Sequence, residues 1–147
     1  MEENVSAKEF KIVDIARTQL ETAIRLFFYA EDYFSVVTLA GASEEILGKI
    51  LVELGKEPSH ASYSRTFSLV VEALSGEQIP EKTIKKSTNR ARNKLKHFNS
   101  MQDLHVVLNP REEAIHMLNR AIENYVKLNL PKSEVIDRFR NYDMECL

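Results

Sequence analysis

The stretch "FSVVTLAGASEEILGKIL", residues 34–51, decides the fold class of this chain. Its apolar residues recur at the three- and four-residue steps of an α-helix, and the small residues of 39–43 allow a second helix to approach closely. Asp32 can cap this helix, which we expect to run from Tyr33 to Leu54 and to end at Gly55. The apolar positions are Val36, Leu39, Ala40, Ala42, Ile46, Leu47, Ile50 and Leu54.

The sequence on either side of this segment predicts further helices. The capping-box spacing of Ser6 and Glu9 begins a first helix, which should extend to about Ala30. Residues 55–63 have the composition of a loop, and a shorter helix should follow at about 65–74. The first half of the chain is therefore predicted to form three helices joined by short connections.

The second half of the chain continues in the same way. Pro80 suits the first turn of a fourth helix, whose apolar seam is Ile84, Thr88, Ala91, Leu95 and Phe98. Asn109 and Pro110 begin a fifth helix that should reach about Leu128, and a short helix should follow within 131–143. We therefore predict an all-α, up-and-down bundle of four to five main helices plus a short C-terminal helix.

Length and composition set the limits of this prediction. The chain has 147 residues, which fits one domain over 1–147, with its core in about 6–130. The single cysteine, Cys146, cannot form an internal disulfide.

The chain has no apolar run long enough for a membrane span and no signal-peptide core, so we expect a cytoplasmic protein without a membrane partner. No set of metal ligands or cofactor motif stands out, so neither is expected.

Charge is distributed unevenly along the chain. The net charge is −2, yet residues 81–97 carry +6 and the remainder carries −8. Within this segment lie Arg90, Arg92, Asn93 and His97. A basic patch on an acidic body indicates either a solvated helix face or a site for a specific anion.

The second alternative suits phosphodiester chemistry. On an ideal helix, Arg92, Asn93 and His97 lie on the side opposite the apolar seam. A guanidinium can grip a phosphate, an imidazole can move protons near neutral pH, and an amide can orient a phosphate or ribose hydroxyl. RNA brings its own nucleophile, the 2′-hydroxyl, so the reaction requires no metal.

The stretch "RNKLKH", Arg92–His97, resembles the signature of the HEPN superfamily: an arginine, usually followed by a polar residue and often by asparagine, and then a histidine after four to six intervening residues. Arg90 fits the six-residue form of the same signature. The helix at 34–51 resembles the second helix of HEPN-like proteins, and with the helix order the resemblance covers about residues 10–130.

This resemblance implies a metal-independent endoribonuclease that forms a homodimer, acts on RNA, and belongs to a toxin–antitoxin or phage-defence system with an antitoxin protein as partner. Arg92 would polarise the scissile phosphate, His97 would be general acid or base, and Asn93 would assist. Either Glu44 or Glu45 could hold the active-site arginine, as an acid of an earlier helix does in some members; an exposed surface acid is the alternative. Further contacts to RNA would come from Arg90, Lys85 and Lys96.

One position departs from the pattern of the family. Some toxins of the superfamily have a tyrosine two residues after the histidine, where a partner nucleotidyltransferase attaches adenylyl groups. This chain has Asn99 there, so that form of control is not expected. Two further hypotheses stay open: a noncatalytic HEPN-like module that binds a nucleotide, RNA or a protein, and a bundle with a structural role alone.

Overall fold

A computed structural model describes residues 7–145. Between these residues the chain folds into seven α-helices and one turn of 3₁₀-helix at Met101–Asp103, without any β-strand. The predicted all-α class is therefore confirmed. The helices are α1 (Ile12–Tyr29), α2 (Tyr33–Glu53), α3 (Ser59–Ser75), α4 (Glu81–Thr88), α5 (Arg90–Lys96), α6 (Pro110–Lys127) and α7 (Glu134–Glu145).

The local signals at α2 and α6 act as the sequence predicts. The Asp32 side chain accepts a hydrogen bond from the Ser35 amide at 3.2 Å and so caps α2. Gly55, just after α2, has the left-handed φ of +69° that a glycine adopts at low cost. At α6, the Asn109 side chain accepts from the Glu112 amide at 3.3 Å.

Other predicted boundaries are wrong. Lys11 precedes α1, and no side chain among the described residues caps that helix; Ser6, like Cys146, lies outside the described residues. The predicted loop at 55–63 is too long, because α3 already begins at Ser59. The last helix extends to Glu145, two residues beyond the expected limit at residue 143.

The hydrophobic core lies where α2 packs against α1 and α6. Phe139 of α7 completes it and meets the Phe27 ring edge-on, at 5.3 Å between ring centroids. Burying each such side chain contributes about 1.5–3 kcal/mol. The largest fully buried side chains of the core are Leu20, Ile24, Val36, Val37, Leu47, Leu51, Leu118 and Phe139.

The predicted single basic helix is instead two helices, α4 and α5, which meet in a turn at Asn89. Arg120 of α6 contacts this turn. Its guanidinium donates to the Thr88 carbonyl at 3.4 Å and to the Asn89 side chain at 3.0 Å. Phe98, expected in the apolar seam, is 63% exposed because α5 ends at Lys96.

No helix in the described part of the chain is long and apolar enough to cross a membrane.

Candidate functional site

Glu44 is the centre of a buried ionic cluster at the middle of α2. Its carboxylate accepts from the Arg92 guanidinium at 3.2 Å and from the Arg120 guanidinium at 3.0 Å, one on each oxygen. All three side chains are largely shielded, with 6% of Glu44, 14% of Arg92 and 12% of Arg120 exposed. Such burial makes the ion pairs costly to break, because a lone charge would stay behind in the interior.

The backbone of α2 makes room for this cluster. A Cβ atom added to Gly41 would lie only 2.8 Å from Cδ of Arg92. The absence of that atom lets the aliphatic part of the Arg92 side chain lie directly against α2. Gly41 is therefore required by close approach rather than by a special backbone angle.

A second buried side chain, Asn124 of α6, ties the cluster to the start of α3. Its amide nitrogen donates to the Glu44 carbonyl at 3.1 Å, and its oxygen accepts from the Ser59 amide at 2.8 Å. The Ser59 hydroxyl in turn donates to the Arg120 carbonyl at 2.9 Å. These bonds fix the relative positions of α2, α3 and α6 around Glu44.

His60, in the first turn of α3, lies beside the same cluster. The Thr88 hydroxyl donates to the Ile84 carbonyl at 3.0 Å, so its oxygen is free to accept from His60 Nε2 at 2.7 Å. Burial, and to a smaller extent the nearby charges of Arg120, Arg92 and Lys85, lower the pKa of His60 from 6.5 to about 4. His60 is therefore uncharged at neutral pH.

The two acids predicted to support the arginine have different surroundings. Glu44 makes the contact with Arg92, whereas Glu45 is exposed and pairs with Lys49 at 2.8 Å. The hydrogen bond from Lys49 lowers the pKa of Glu45. Burial lowers the pKa of the Arg120 guanidinium, and the Glu44 carboxylate acts in the opposite direction.

His97 and Asn93 lie elsewhere, on the outer side of α4 and α5. Both are exposed and line an open surface groove of about 600 Å³, which we call the basic groove. It is lined mainly by Lys86, Arg90, Asn93, Lys94, His97 and Asn99. Lys94 forms an ion pair with Asp103 of the 3₁₀ turn, whose second oxygen accepts from the Asn99 amide at 3.2 Å. The segment after His97 is thus fixed to α5.

The structure therefore separates residues that the ideal-helix placement put on one face. Arg92 lines an open surface depression of about 300 Å³ between α2, α3 and the α4–α5 pair, which we call the inner cavity because the buried Glu44 lies at its base, and Lys85 lies there with it. Arg90 shares the basic groove with Asn93 and His97. Lys96 is exposed and lines neither space. The expectation that Arg92 lies on the exposed basic face is wrong, because its side chain turns towards Glu44.

Sequence reasoning did not find Arg120, Asn124 or His60. Arg120 and Asn124 border the apolar stripe of α6, each three residues after a buried core position, Met117 and Ala121. Polar residues in that register are the signal that could have indicated a buried polar network. In residues 7–145 no three His, Cys, Asp or Glu side chains group as metal ligands.

Comparison with protein-family models, with curated proteins and with solved structures finds no significant match to this chain.

Proposed function

We propose that the chain is an RNA-binding protein of the HEPN type that cleaves RNA at the basic groove without a metal ion. One observation carries this proposal: Arg90, Asn93 and His97 line the same exposed groove. This set offers a cation for the phosphate, an amide for orientation and an imidazole for proton transfer.

The reaction follows from the chemistry of RNA. The ribose 2′-oxygen attacks phosphorus as its proton passes to a base, and the bond from phosphorus to the 5′-oxygen breaks as an acid protonates the leaving oxygen. The products are a 2′,3′-cyclic phosphate and a 5′-hydroxyl. His97 carries one of the two proton transfers. A second copy of the chain would supply the other group, which agrees with the homodimer that the resemblance implies.

In this proposal Arg90 replaces Arg92 as the residue that grips the scissile phosphate. Arg90 is exposed and lines the groove with His97, whereas Arg92 is engaged with Glu44. The spacing of Arg90 and His97 is the six-residue form of the HEPN signature. Arg92 then acts as the link that holds α5 against α2.

Cleavage of end-labelled RNA by purified protein in EDTA tests the proposal. We expect cyclic-phosphate ends with the wild-type chain and a rate about 10²–10⁴ times lower for His97→Ala. Arg90→Ala should weaken both binding and cleavage. Lys82→Ala is the matched control, because Lys82 is an exposed cation of α4 that does not line the groove. Cleavage that survives His97→Ala unchanged would exclude His97 as the proton-transfer group.

A noncatalytic module is the second candidate, and the position of Arg92 favours it. Its guanidinium meets Glu44 instead of standing beside His97, so the Arg–Asn–His set predicted from the sequence is not assembled at one surface. This candidate predicts salt-dependent RNA binding that Arg90→Ala weakens, without cleavage by any variant.

Only the nuclease hypothesis implies a role as a toxin or defence component. Overexpression of the wild-type chain should then arrest growth, and His97→Ala should relieve the arrest. An antitoxin protein should restore growth when it is produced with the wild-type chain. Equal growth of cells that produce either form would exclude the toxin role.

A further inference from the structure

The inner cavity is a space separate from the basic groove. The two share no lining residue and lie on different sides of the α4–α5 pair. The residues that give the inner cavity its chemistry are Glu44, Glu45, His60, Lys85, Asn89 and Arg92. Since a water molecule occupies about 30 Å³ in the liquid, a cavity of about 300 Å³ has room for a phosphate group together with water.

The charges around this cavity do not cancel. Arg92, Lys85 and Lys49 line it, and Arg120 lies behind Glu44, while Glu44 and Glu45 are the two carboxylates. Lys85 also pairs with Glu81 at 3.9 Å, so four cations face three anions. His60 adds no charge at neutral pH, because its pKa is lowered to about 4. The surplus of one positive charge comes from the two arginines that share Glu44, and it favours an anion such as phosphate.

The two arginines on Glu44 are held very differently. Arg120 donates three hydrogen bonds, to Glu44, to the Asn89 side chain and to the Thr88 carbonyl. Within the described part of the chain, the Arg92 guanidinium donates one, at 3.2 Å, to Glu44. Arg92 also lines the open cavity, whereas Arg120 does not. Arg92 is therefore the member of the pair that can change partners.

We propose that the inner cavity is a phosphate-binding site in which Arg92 exchanges from Glu44 to the bound anion while Arg120 keeps Glu44 neutralised. Removing the only partner of a buried carboxylate is strongly unfavourable, so a single arginine on Glu44 could not leave it. With two arginines, one can leave and the carboxylate keeps a counter-ion. The ligand is a phosphate group, either free or part of a nucleotide or RNA strand. Arg120 is a positioning residue: it lowers the energetic cost of the exchange because it stays paired with Glu44.

Titration of the protein with inorganic phosphate, followed by NMR, tests this site without any RNA cleavage. The Nε–H signal of Arg92, identified by its loss in Arg92→Lys, should shift and saturate, while that of Arg120 should move little. The pKa of His60 should rise, since a bound anion opposes the cations that lower it. The Arg90 signal reports the basic groove separately. Failure of the nuclease proposal would leave these results unchanged.

A pair of variants separates the exchange from simple charge attraction. With Glu44 present, Arg120→Met should weaken phosphate binding at least about tenfold, because Arg92 can no longer leave the carboxylate. In a Glu44→Gln background no carboxylate holds Arg92, so Arg120→Met removes only a distant charge and should cost less than about threefold. Circular dichroism at low temperature confirms that each variant is folded.

Three outcomes would overturn the proposal. The first is an Arg92 signal that does not respond to phosphate in the wild-type chain. The second is an equal effect of Arg120→Met in both backgrounds. If Arg120→Met fails to fold, Glu44→Gln alone tests the proposal, and it should tighten phosphate binding several-fold. Unchanged or weaker phosphate binding by Glu44→Gln is the third outcome that would overturn it.

Discussion

The carboxylate of Glu44 and the guanidinium of Arg92 stand 48 positions apart in the chain and meet at 3.2 Å in the protein interior. Arg120 meets the other oxygen of the same carboxylate at 3.0 Å. One side chain of α2 therefore joins α5 and α6. The position of the basic segment depends on this junction.

Glu44→Gln should lower the free energy of unfolding by about 2–4 kcal/mol, because it leaves two shielded guanidinium groups without their carboxylate. Urea denaturation followed by circular dichroism measures the change. Glu45→Gln is the matched control: it removes an exposed acid of the same helix and should cost no more than about 0.5 kcal/mol. Equal costs for the two variants would contradict the buried junction.

Gly41→Ala should destabilise the protein by about 1–3 kcal/mol, although alanine is the better helix former, because its Cβ would meet Cδ of Arg92 at 2.8 Å. In an Arg92→Ala background the clash is gone. There the same change should be neutral or stabilise by up to about 1 kcal/mol. A double-mutant cycle from urea denaturation gives both values, and additive effects would show that the two residues do not interact.

The sequence was sufficient to predict the all-α class and the bounds of α2 and α6. Both are long, have a regular apolar period, and begin with a side chain that accepts from a backbone amide near the helix start. These signals are local, so they act before any tertiary contact forms. The start of α3 was missed because it depends on Asn124, which accepts from the Ser59 amide across the bundle.

The candidate site was only partly predictable for the same reason. An ideal-helix projection assumes one unbroken helix, whereas the chain forms two helices that meet at Asn89, where Arg120 contacts the turn. The direction of Arg92 depends on Gly41 and Glu44, which belong to a distant segment. The residues of the groove, Arg90 and His97, were identified from the sequence because they share one face of a single short helix and its end.

Asn124→Ala should cost about 1–3 kcal/mol of stability, because it leaves the Ser59 amide without its buried partner and removes a second hydrogen bond to the Glu44 carbonyl. Hydrogen exchange should show faster opening of the first turn of α3. Asn119→Ala is the control on the same helix, because Asn119 is only partly buried and donates to Asp143. A loss of about 1 kcal/mol or less is expected there, and similar losses for both would argue against a special role of Asn124.

His60 should make the protein less stable as the pH falls from about 6.5 to about 4. The folded state holds the pKa of His60 at about 4, whereas the unfolded chain has the ordinary value of 6.5, so the unfolded state binds the proton more readily in this interval. The stability is fully present above pH 6.5 and is lost as the pH approaches 4. Partial solvent screening reduces the effect from about 3 to about 1–2 kcal/mol.

The His60→Gln variant isolates this effect, because glutamine can still donate to Thr88 but does not titrate between pH 4 and 7. The difference in unfolding free energy between wild type and variant should be constant above pH 6.5 and should shrink, by about 1–2 kcal/mol, on the way to pH 4. Urea denaturation at several pH values measures it, and an NMR titration of the His60 ring gives the folded pKa directly. A ring that titrates at or above 6.5 would mean that neither burial nor the cations around Glu44 lower the pKa of His60.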